Sequence, residues 1–476
     1  MKINPNIFRG YDLRGLVNTD LSEELMRHLG LAYGTYSKRH GITTLIVGRD
    51  CRASGPLYSK ALIEGILDTG VNVIDIGMTL VGTFYWSQHY LKQRGGAYIS
   101  ASHNPPEYNG IKFANDYSET LVSDGIQELK RMVEEEDYER ASQKGTLQSQ
   151  DINPVYIEDV SKRFAINKKL RVVVDPSNST AGTLAPKILR AVGCEVIEHN
   201  CTVDPSFPLG VADPTSSVIA KRLAREVTDA KADVGFSYDA DGDRIGIVDE
   251  KGNIIWNDVL LAIFAIDVLR EHPGSTIMYN ILCSKVVEET IVEHGGKPFV
   301  WRVGHSFLKK KNQEVKAAFI GELSGHFFFS KDFYNHDDGL YSTLRLIRFI
   351  SGSGEPLSES VERLPHYISS PEIKIYCPDT AKVSTVAKIS PELKKRYPDA
   401  VILDGESAGD GIRLDFDDGM IVVRYSQNGP YLTIKYEAKT AERYDKFRNI
   451  IKELLKKYPE IDWSSKINLN LEAKKN

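Results

Sequence analysis

The sequence predicts an α/β protein of four domains: three related mixed α/β domains built on βαβ units, then a smaller α+β C-terminal domain. Three observations carry this. At 476 residues the chain exceeds what one hydrophobic core supports, so two to four domains are expected. A strand–loop–helix–glycine–strand order occurs three times at intervals of roughly a hundred residues, far beyond solenoid periods of about 20–50. The final stretch changes to short apolar-polar alternations. The expected boundaries are 1–150, 151–253, 254–367 and 368–476.

Along the chain, Phe8-Arg-Gly-Tyr-Asp-Leu-Arg-Gly15 reads as a turn-like segment, and a helical pattern runs from Glu23 to Arg39. The first βαβ copy has strand Thr44–Gly48, polar loop Arg49-Asp-Cys-Arg-Ala-Ser-Gly55, a helix from Tyr58 to Asp68, Gly70 and strand Val71–Ile76. The second begins at Leu170-Arg-Val-Val-Val-Asp-Pro-Ser-Asn-Ser-Thr180, with a helix to Val192, Gly193 and strand Cys194–Glu198. The third has strand Thr276–Asn280, a helix from Lys285 to His294, Gly295-Gly296 and strand Lys297–Arg302. A glycine after each helix suits the left-handed residue that ends it. The last domain offers a strand at Glu372–Tyr376, a helix from Pro391 to Tyr397 and strands at Gly411–Phe416, Gly419–Arg424 and Tyr431–Tyr436. Tyr444, Phe447, Ile450, Ile451, Leu454 and Leu455 mark one face of a closing helix, and the polar tail after Tyr458 is expected to fray.

Composition narrows the function. The chain is 41% apolar and 26% charged, ordinary for a soluble globular protein. Its 60 basic against 65 acidic residues give a net charge of −5, which argues against nucleic-acid wrapping. No apolar run approaches the roughly 20 residues needed to span a bilayer. The start, Met1-Lys-Ile-Asn-Pro, lacks a signal-peptide core. Cys51, Cys194, Cys201, Cys283 and Cys377 are scattered without a Cys-x-x-Cys pair, so they read as packing thiols in a reduced, cytoplasmic compartment. No stretch forms an apolar interface stripe, and monomer or dimer both stand.

Four polar loops carry chemistry. Gly96-Ala-Tyr-Ile reads as a strand that delivers Ser100-Ala-Ser-His-Asn-Pro-Pro, placing Ser102, His103 and Asn104 where active-site groups favour standing. Asp239-Ala-Asp-Gly-Asp-Arg244 lies between two apolar strands, and its alternate carboxylates can converge on one hard cation. A calcium loop would use Asp239, Asp241, Asp243 and Glu250, but position six is Arg244 instead of glycine, so magnesium fits better. Gly321-Glu-Leu-Ser-Gly-His326 combines carboxylate, hydroxyl and imidazole in a way that suits a polyol, and Gly304-His-Ser adds His305 before a lysine run, part of which is a solvated helix face. Arg424-Tyr-Ser-Gln-Asn-Gly-Pro430 joins two strands with an arginine fork, a hydroxyl and amides, the elements of a phosphate cradle.

Together with Phe8–Gly15, these loops in this order resemble the α-D-phosphohexomutase family, and Glu-Leu-Ser-Gly-His with Gly304-His-Ser most resembles its phosphomannomutase/phosphoglucomutase branch. The resemblance covers essentially the whole chain. It implies four domains around one central cleft and reversible phosphoryl transfer between the 1- and 6-positions of hexose phosphates. Ser102 would be the phosphoserine, and a hexose 1,6-bisphosphate would serve as intermediate and activator. Asp239, Asp241, Asp243 and Ser102 would hold Mg²⁺. Arg14, His103, Lys112, Arg244 and His326 would serve catalysis, with Lys112 and His326 both open as the group that moves the hydroxyl proton. Tyr11, His305, Glu322, Ser324, Arg424, Ser426, Gln427 and Asn428 would bind substrate. Two departures stand out: relatives usually have a threonine where Asn428 stands, and many carry a lysine where Leu282 stands. Phosphoglucosamine mutase is the nearest alternative, followed by a phosphatase and a non-catalytic sugar-phosphate sensor.

Overall fold

Each βαβ copy places its first strand in the middle of three parallel strands. Thr44–Arg49 lies between Asn72–Met78 and Gly95–Ile99. Arg171–Asp175 lies between Glu195–Glu198 and Val234–Tyr238, and Thr276–Asn280 between Lys297–Trp301 and Phe319–Gly321. The central strands are buried and apolar (Leu45, Ile46, Val47; Val172, Val173, Val174; Ile277, Met278), as expected where helices cover both faces. The register sets Arg49 beside Ile99, Asp175 beside Ser237 and Tyr279 beside Gly321. The loop leaving the first strand therefore emerges next to the loop leaving the third, at the carboxyl end where such sheets bind ligands.

The computed structural model describes residues 3–427 and 429–472. It divides into two bodies, Met1–Trp256 with Ser324–Glu362, and Asn257–Leu323 with Arg363–Asn476. In the first body the opening sheet continues through antiparallel strands Tyr108–Asp116 and Leu13–Leu16. The opening segment is thus half turn and half strand: Leu13 is buried beside Ile111, and that contact outweighs the turn preference of the neighbouring glycines. Helix Glu23–Arg39 starts at Ser22, whose hydroxyl accepts from the Leu25 N–H at 3.1 Å, with Glu23 and Glu24 in its first turn and Lys38 and Arg39 in its last. It packs on helix Gly55–Asp68 where Gly30 faces Gly65; a Cβ on Gly30 would lie 2.1 Å from the Leu62 carbonyl. That second helix starts earlier than Tyr58 because Pro56 fits the first turn.

In the second body the α+β domain is an antiparallel sheet in the order Ile368–Ser369, Tyr431–Ala438, Gly419–Tyr425, Gly411–Phe416, Val401–Leu403, with Ile373–Tyr376 also on Tyr431–Ala438. The six apolar residues of the closing helix, Ala441–Leu455, are all buried, each contributing about 1.5–3 kcal/mol. Two expectations are corrected. The helix expected from Pro391 is Lys382–Arg396, because Val386, Ile389 and Leu393 bury one continuous face across the proline. The tail does not fray through Glu472: Lys374 and Leu469 exchange N–H···O bonds of 3.0 and 2.9 Å, satisfying an otherwise open strand edge. The lysine run is solvated in part, as expected: Lys309 is buried and Lys310 exposed. All five cysteines are free thiols, and four are buried. Among the described residues no helix is long and apolar enough to cross a membrane.

Candidate active site

The strand Gly95–Ile99 hands over to Ser102, which stands in the left-handed region at φ 48°. This conformation is disfavoured for a residue with a Cβ and persists where its surroundings over-determine it. They do so here. The Ser102 N–H donates to Ser100 Oγ at 2.8 Å, and Ser100 Oγ donates to Asp241 Oδ2 at 3.0 Å. The Ser102 hydroxyl donates to Asp239 Oδ2 at 2.8 Å and lies 3.2 Å from His103 Nδ1. Arg14 reaches the same loop, donating to Asn104 Oδ1 at 2.8 Å and to the Ala101 carbonyl at 3.3 Å while Asp12 holds its Nε at 2.8 Å. Tyr11 is buried beside this pair.

Asp239–Arg244 is the tight turn of an antiparallel hairpin, strands Val234–Tyr238 and Ile245–Asp249. Gly242 at φ 71° allows the turn, and a Cβ there would also strike Leu80 at 2.6 Å. Asp239, Asp241 and Asp243 are buried, each offering an oxygen within 4.8 Å of the others. Lys112 Nζ bridges Asp241 Oδ2 at 2.9 Å and Asp243 Oδ2 at 2.7 Å. Burial would lower the Lys112 ammonium, but these two carboxylates hold it well above its ordinary range. Burial pushes Asp239 well up, reinforced by Asp243 and Asp241. Burial also raises Asp241, but Lys112 outweighs it and holds the carboxyl below the usual range. Arg244 donates through Nε to Asp239 Oδ2 at 3.1 Å and faces Asp213 at 3.5 Å. Among the described residues, Asp241 Oδ1, Asp243 Oδ1 and Arg244 Nη2 have no hydrogen-bond partner. Three converging carboxylates with two orphaned oxygens are an all-oxygen set for a hard divalent cation, and Arg244 keeps a donor for an anion.

His326 bridges the Arg244 backbone, and its Nδ1 sits 2.7 Å from Asp337 Oδ2 and 3.6 Å from Asp243 Oδ1. The first body therefore brings together Arg14, Ser102, His103, Lys112, the three aspartates, Arg244 and His326. Ser324 is partly exposed in this body.

In the second body Glu322 is buried, its Oε1 accepting from Asn280 Nδ2 and from the Gly304 N–H, both at 2.9 Å. His305, next to Gly304, is the buried first residue of helix His305–Val315. Arg424 is not an open fork: its Nε meets Asp410 Oδ1 at 2.8 Å and its Nη2 meets Asp410 Oδ2. Gln427 Nε2 donates to the same carboxylate at 3.2 Å, and Ser426 is buried where its N–H meets the Tyr431 carbonyl at 2.9 Å. Asn428 lies outside the described residues. Leu282 is buried with Ile281, Ala408, Met420 and Val422 in an apolar cluster. Sequence reasoning missed Asp337, Asp410, Asn280 and the pair Asp50–Arg52. Asp50, Arg52 and Asn280 had a signal, since each ends a first strand or stands in the loop that leaves it, beside the loop singled out for function.

Three stretches match one family's descriptions: phosphoglucomutase/phosphomannomutase, alpha/beta/alpha domain I at residues 5–140, domain II at 154–252 and domain III at 256–367. A phosphomannomutase/phosphoglucomutase of Pseudomonas aeruginosa is 36% identical over 451 residues, covering 95% of this chain and 96% of that protein. The chain belongs to the phosphoglucomutase/phosphomannomutase family. A phosphoglucomutase of Neisseria gonorrhoeae, 32% identical, covers 97% of this chain and 99% of its own length. The crystal structure of a phosphoglucomutase/phosphomannomutase family protein from Burkholderia thailandensis matches with a TM-score of 0.88 at 30% identity, over 96% of this chain and 98% of that one. The chain is thus an α-D-phosphohexomutase by family, and the family's domains I to III fall on the three βαβ copies.

Proposed function

We propose that this protein transfers a phosphoryl group reversibly between the 1- and 6-hydroxyls of mannose or glucose phosphates, through phosphorylated Ser102 and a hexose 1,6-bisphosphate intermediate, in domains bounded at 1–150, 151–253, 254–367 and 368–476. One observation carries the reading: the buried Ser102 hydroxyl is delivered from one domain's loop to within 2.8 Å of the acidic triad of the next. In the first half-reaction a sugar hydroxyl attacks phosphorus. The bond from phosphorus to Ser102 Oγ breaks with its electron pair on Oγ, and the hydroxyl proton leaves to a base. The second half runs in reverse from the other phosphate. Such transfers need positioning and charge neutralisation more than new covalent chemistry. Asp239, Asp241, Asp243 and a Ser102 oxygen would hold Mg²⁺, which when bound would supply part of that neutralisation, with Arg14 and Arg244 supplying more. Lys112 is kept cationic by Asp241 and Asp243 and serves as a charge partner. With Asp337 accepting from Nδ1, His326 would present Nε2 as the acceptor for the hydroxyl proton. Glu322, His305 and Ser324 would take the sugar hydroxyls, with Tyr11 also binding substrate. Arg424, Ser426, Gln427 and Asn428 would take the non-reacting phosphate, with Asp410 ordering the arginine at the expense of its net charge.

The test is a coupled assay with mannose 1-phosphate, glucose 1-phosphate and glucosamine 1-phosphate in turn, with Mg²⁺ and a trace of glucose 1,6-bisphosphate, beside Ser102→Ala. Turnover of either hexose phosphate, abolished in the variant, is expected. Turnover of the amino sugar alone changes the substrate assignment. Release of free phosphate without isomer, or activity indifferent to Ser102, overturns the proposal.

A further inference from the structure

Arg52 lies outside the residues so far given a role, yet it is the most fully engaged side chain around the serine loop. It stands in the loop after the central strand Thr44–Arg49, and its side chain is 0% exposed. A guanidinium has five N–H donors in a rigid planar fork. Each one has an acceptor here. Nε meets Asp50 Oδ2 at 3.1 Å; Nη2 meets the carbonyls of Ser102 at 2.5 Å and Asn104 at 2.6 Å; Nη1 meets those of Pro105 at 2.8 Å and Tyr108 at 2.9 Å. Asp50 also accepts from the Arg52 N–H at 3.0 Å, and the ring of Phe207 lies 5.5 Å from the guanidinium carbon. One side chain therefore holds both the outgoing half of the loop, at Ser102 and Asn104, and its return, at Pro105 and Tyr108.

We infer that Arg52 is a positioning residue that fixes the left-handed backbone of Ser102, and through it the line along which Oγ meets phosphorus. The Ser102 peptide is gripped from both sides: its N–H by Ser100 Oγ and its carbonyl by Arg52. With both fixed, the orientation of the Cα–Cβ bond follows. The Asp50 carboxylate balances the guanidinium locally, so Arg52 acts through geometry and leaves the charge on the phosphoryl group to Arg14, Lys112 and Arg244. Lysine cannot replace it, since three donors on a point cation leave acceptors unmet among four carbonyls and a carboxylate.

This inference rests on the mutase reading, and its test separates the two. Arg52→Lys is compared with wild type in single-turnover phosphorylation of Ser102 by glucose 1,6-bisphosphate, in steady-state turnover and in amide hydrogen exchange. Phosphorylation is expected to slow about 100-fold, the scale of a 1 Å misplacement. Its end point per mole of protein and the KM for hexose phosphate stay at wild-type values. Exchange rises in peptides covering residues 101–108 and not in those covering 234–249. A transfer rate within about threefold of wild type, small against that 100-fold expectation, overturns the inference. So does a reduced end point with exchange raised throughout the first domain, the mark of a merely structural role. If the wild type itself transfers nothing, the mutase reading falls, and the exchange arm alone decides whether Arg52 holds the loop.

Discussion

The serine loop and the glutamate loop occupy equivalent places in two copies of one design, yet they are braced differently. Both follow a third parallel strand, and both are held by a side chain from the neighbouring first strand's carboxyl end or the loop that leaves it. In the first domain that side chain is Arg52, which grips four backbone carbonyls. In the third it is Asn280, which grips one carboxylate oxygen of Glu322. The difference follows from what each loop presents. A serine hydroxyl is one bond from its Cβ, so its aim is set by the backbone, and the brace must hold backbone. A glutamate carries its oxygens at the end of a flexible stem, so the brace must hold the side chain itself. The second domain solves the problem a third way. Ser179 Oγ reaches the Asp239 carbonyl only at 3.4 Å, while the Gly339 N–H donates to the Gly242 carbonyl at 3.2 Å.

The largest expected effect comes from removing the charge that makes the first brace possible. Asp50→Ala leaves the Arg52 guanidinium buried without a counter-ion, a change of about 3–5 kcal/mol. Denaturant unfolding of the metal-free protein is expected to show that loss, with Asp50→Asn recovering part of it because the amide still accepts from Arg52. Equal small losses in both variants would mean the brace is not electrostatically anchored.

The third brace has a pH signature. Asp338 precedes Gly339, caps helix Gly339–Ser353 by accepting from the Tyr341 N–H at 2.9 Å, and accepts from the Tyr156 hydroxyl at 2.7 Å. Burial pushes its carboxyl up to about 6, despite those two donors. Because the folded value lies above the unfolded one, the folded state binds the proton more tightly. The stabilisation is full below about pH 4 and is lost as pH rises toward 6, a swing of about 3 kcal/mol for this group. Asp338→Asn lacks the swing, so the stability difference between wild type and variant is expected to move in the variant's favour across that window. A difference constant from pH 4 to pH 7 would contradict the assignment.

Gly339 itself tests whether the third brace supports the cation site. A Cβ there would sit 2.6 Å from the Gly242 carbonyl oxygen, which is backbone and cannot swing aside. Gly339→Ala should therefore push the aspartate turn away and, if the triad holds Mg²⁺ as proposed, weaken its binding by about 10–100-fold in titration calorimetry, the usual scale for groups behind metal ligands. Unchanged affinity would show that the hairpin sets its own geometry.

Much of this arrangement was legible because it is local. Helix Glu23–Arg39 carries its cap and end charges in its own sequence, the closing helix carries its buried face, and the three copies announce themselves by period. The loops that bear Ser102, Asp239 and Glu322 were singled out for the same reason. The braces were not, because each depends on contact across a distance the sequence does not mark. Arg52 acts 50 residues away on Ser102, Asn280 acts 42 residues away on Glu322, and Asp410 neutralises Arg424 from a neighbouring strand end. Pro391 misled for the opposite reason: a strong local signal was overridden by the face that Val386, Ile389 and Leu393 bury together.

The smallest expected effect separates the two braces most cleanly. Asn280→Ala removes one donor from Glu322 Oε1 and leaves the Gly304 N–H in place, so the loss is about 1 kcal/mol, roughly fivefold in an equilibrium constant. If Glu322 binds sugar hydroxyls in ground and transition states alike, that loss falls on KM with kcat nearly unchanged. The Arg52 variant should show the reverse, a fall in kcat at constant KM, because on the mutase proposal it disturbs only the group that would meet phosphorus. Steady-state kinetics on the two variants side by side would decide the matter. A kcat effect in Asn280→Ala equal to that in Arg52→Lys would mean that both loops act on the reacting atoms, and the division between holding backbone and holding side chain would lose its functional meaning.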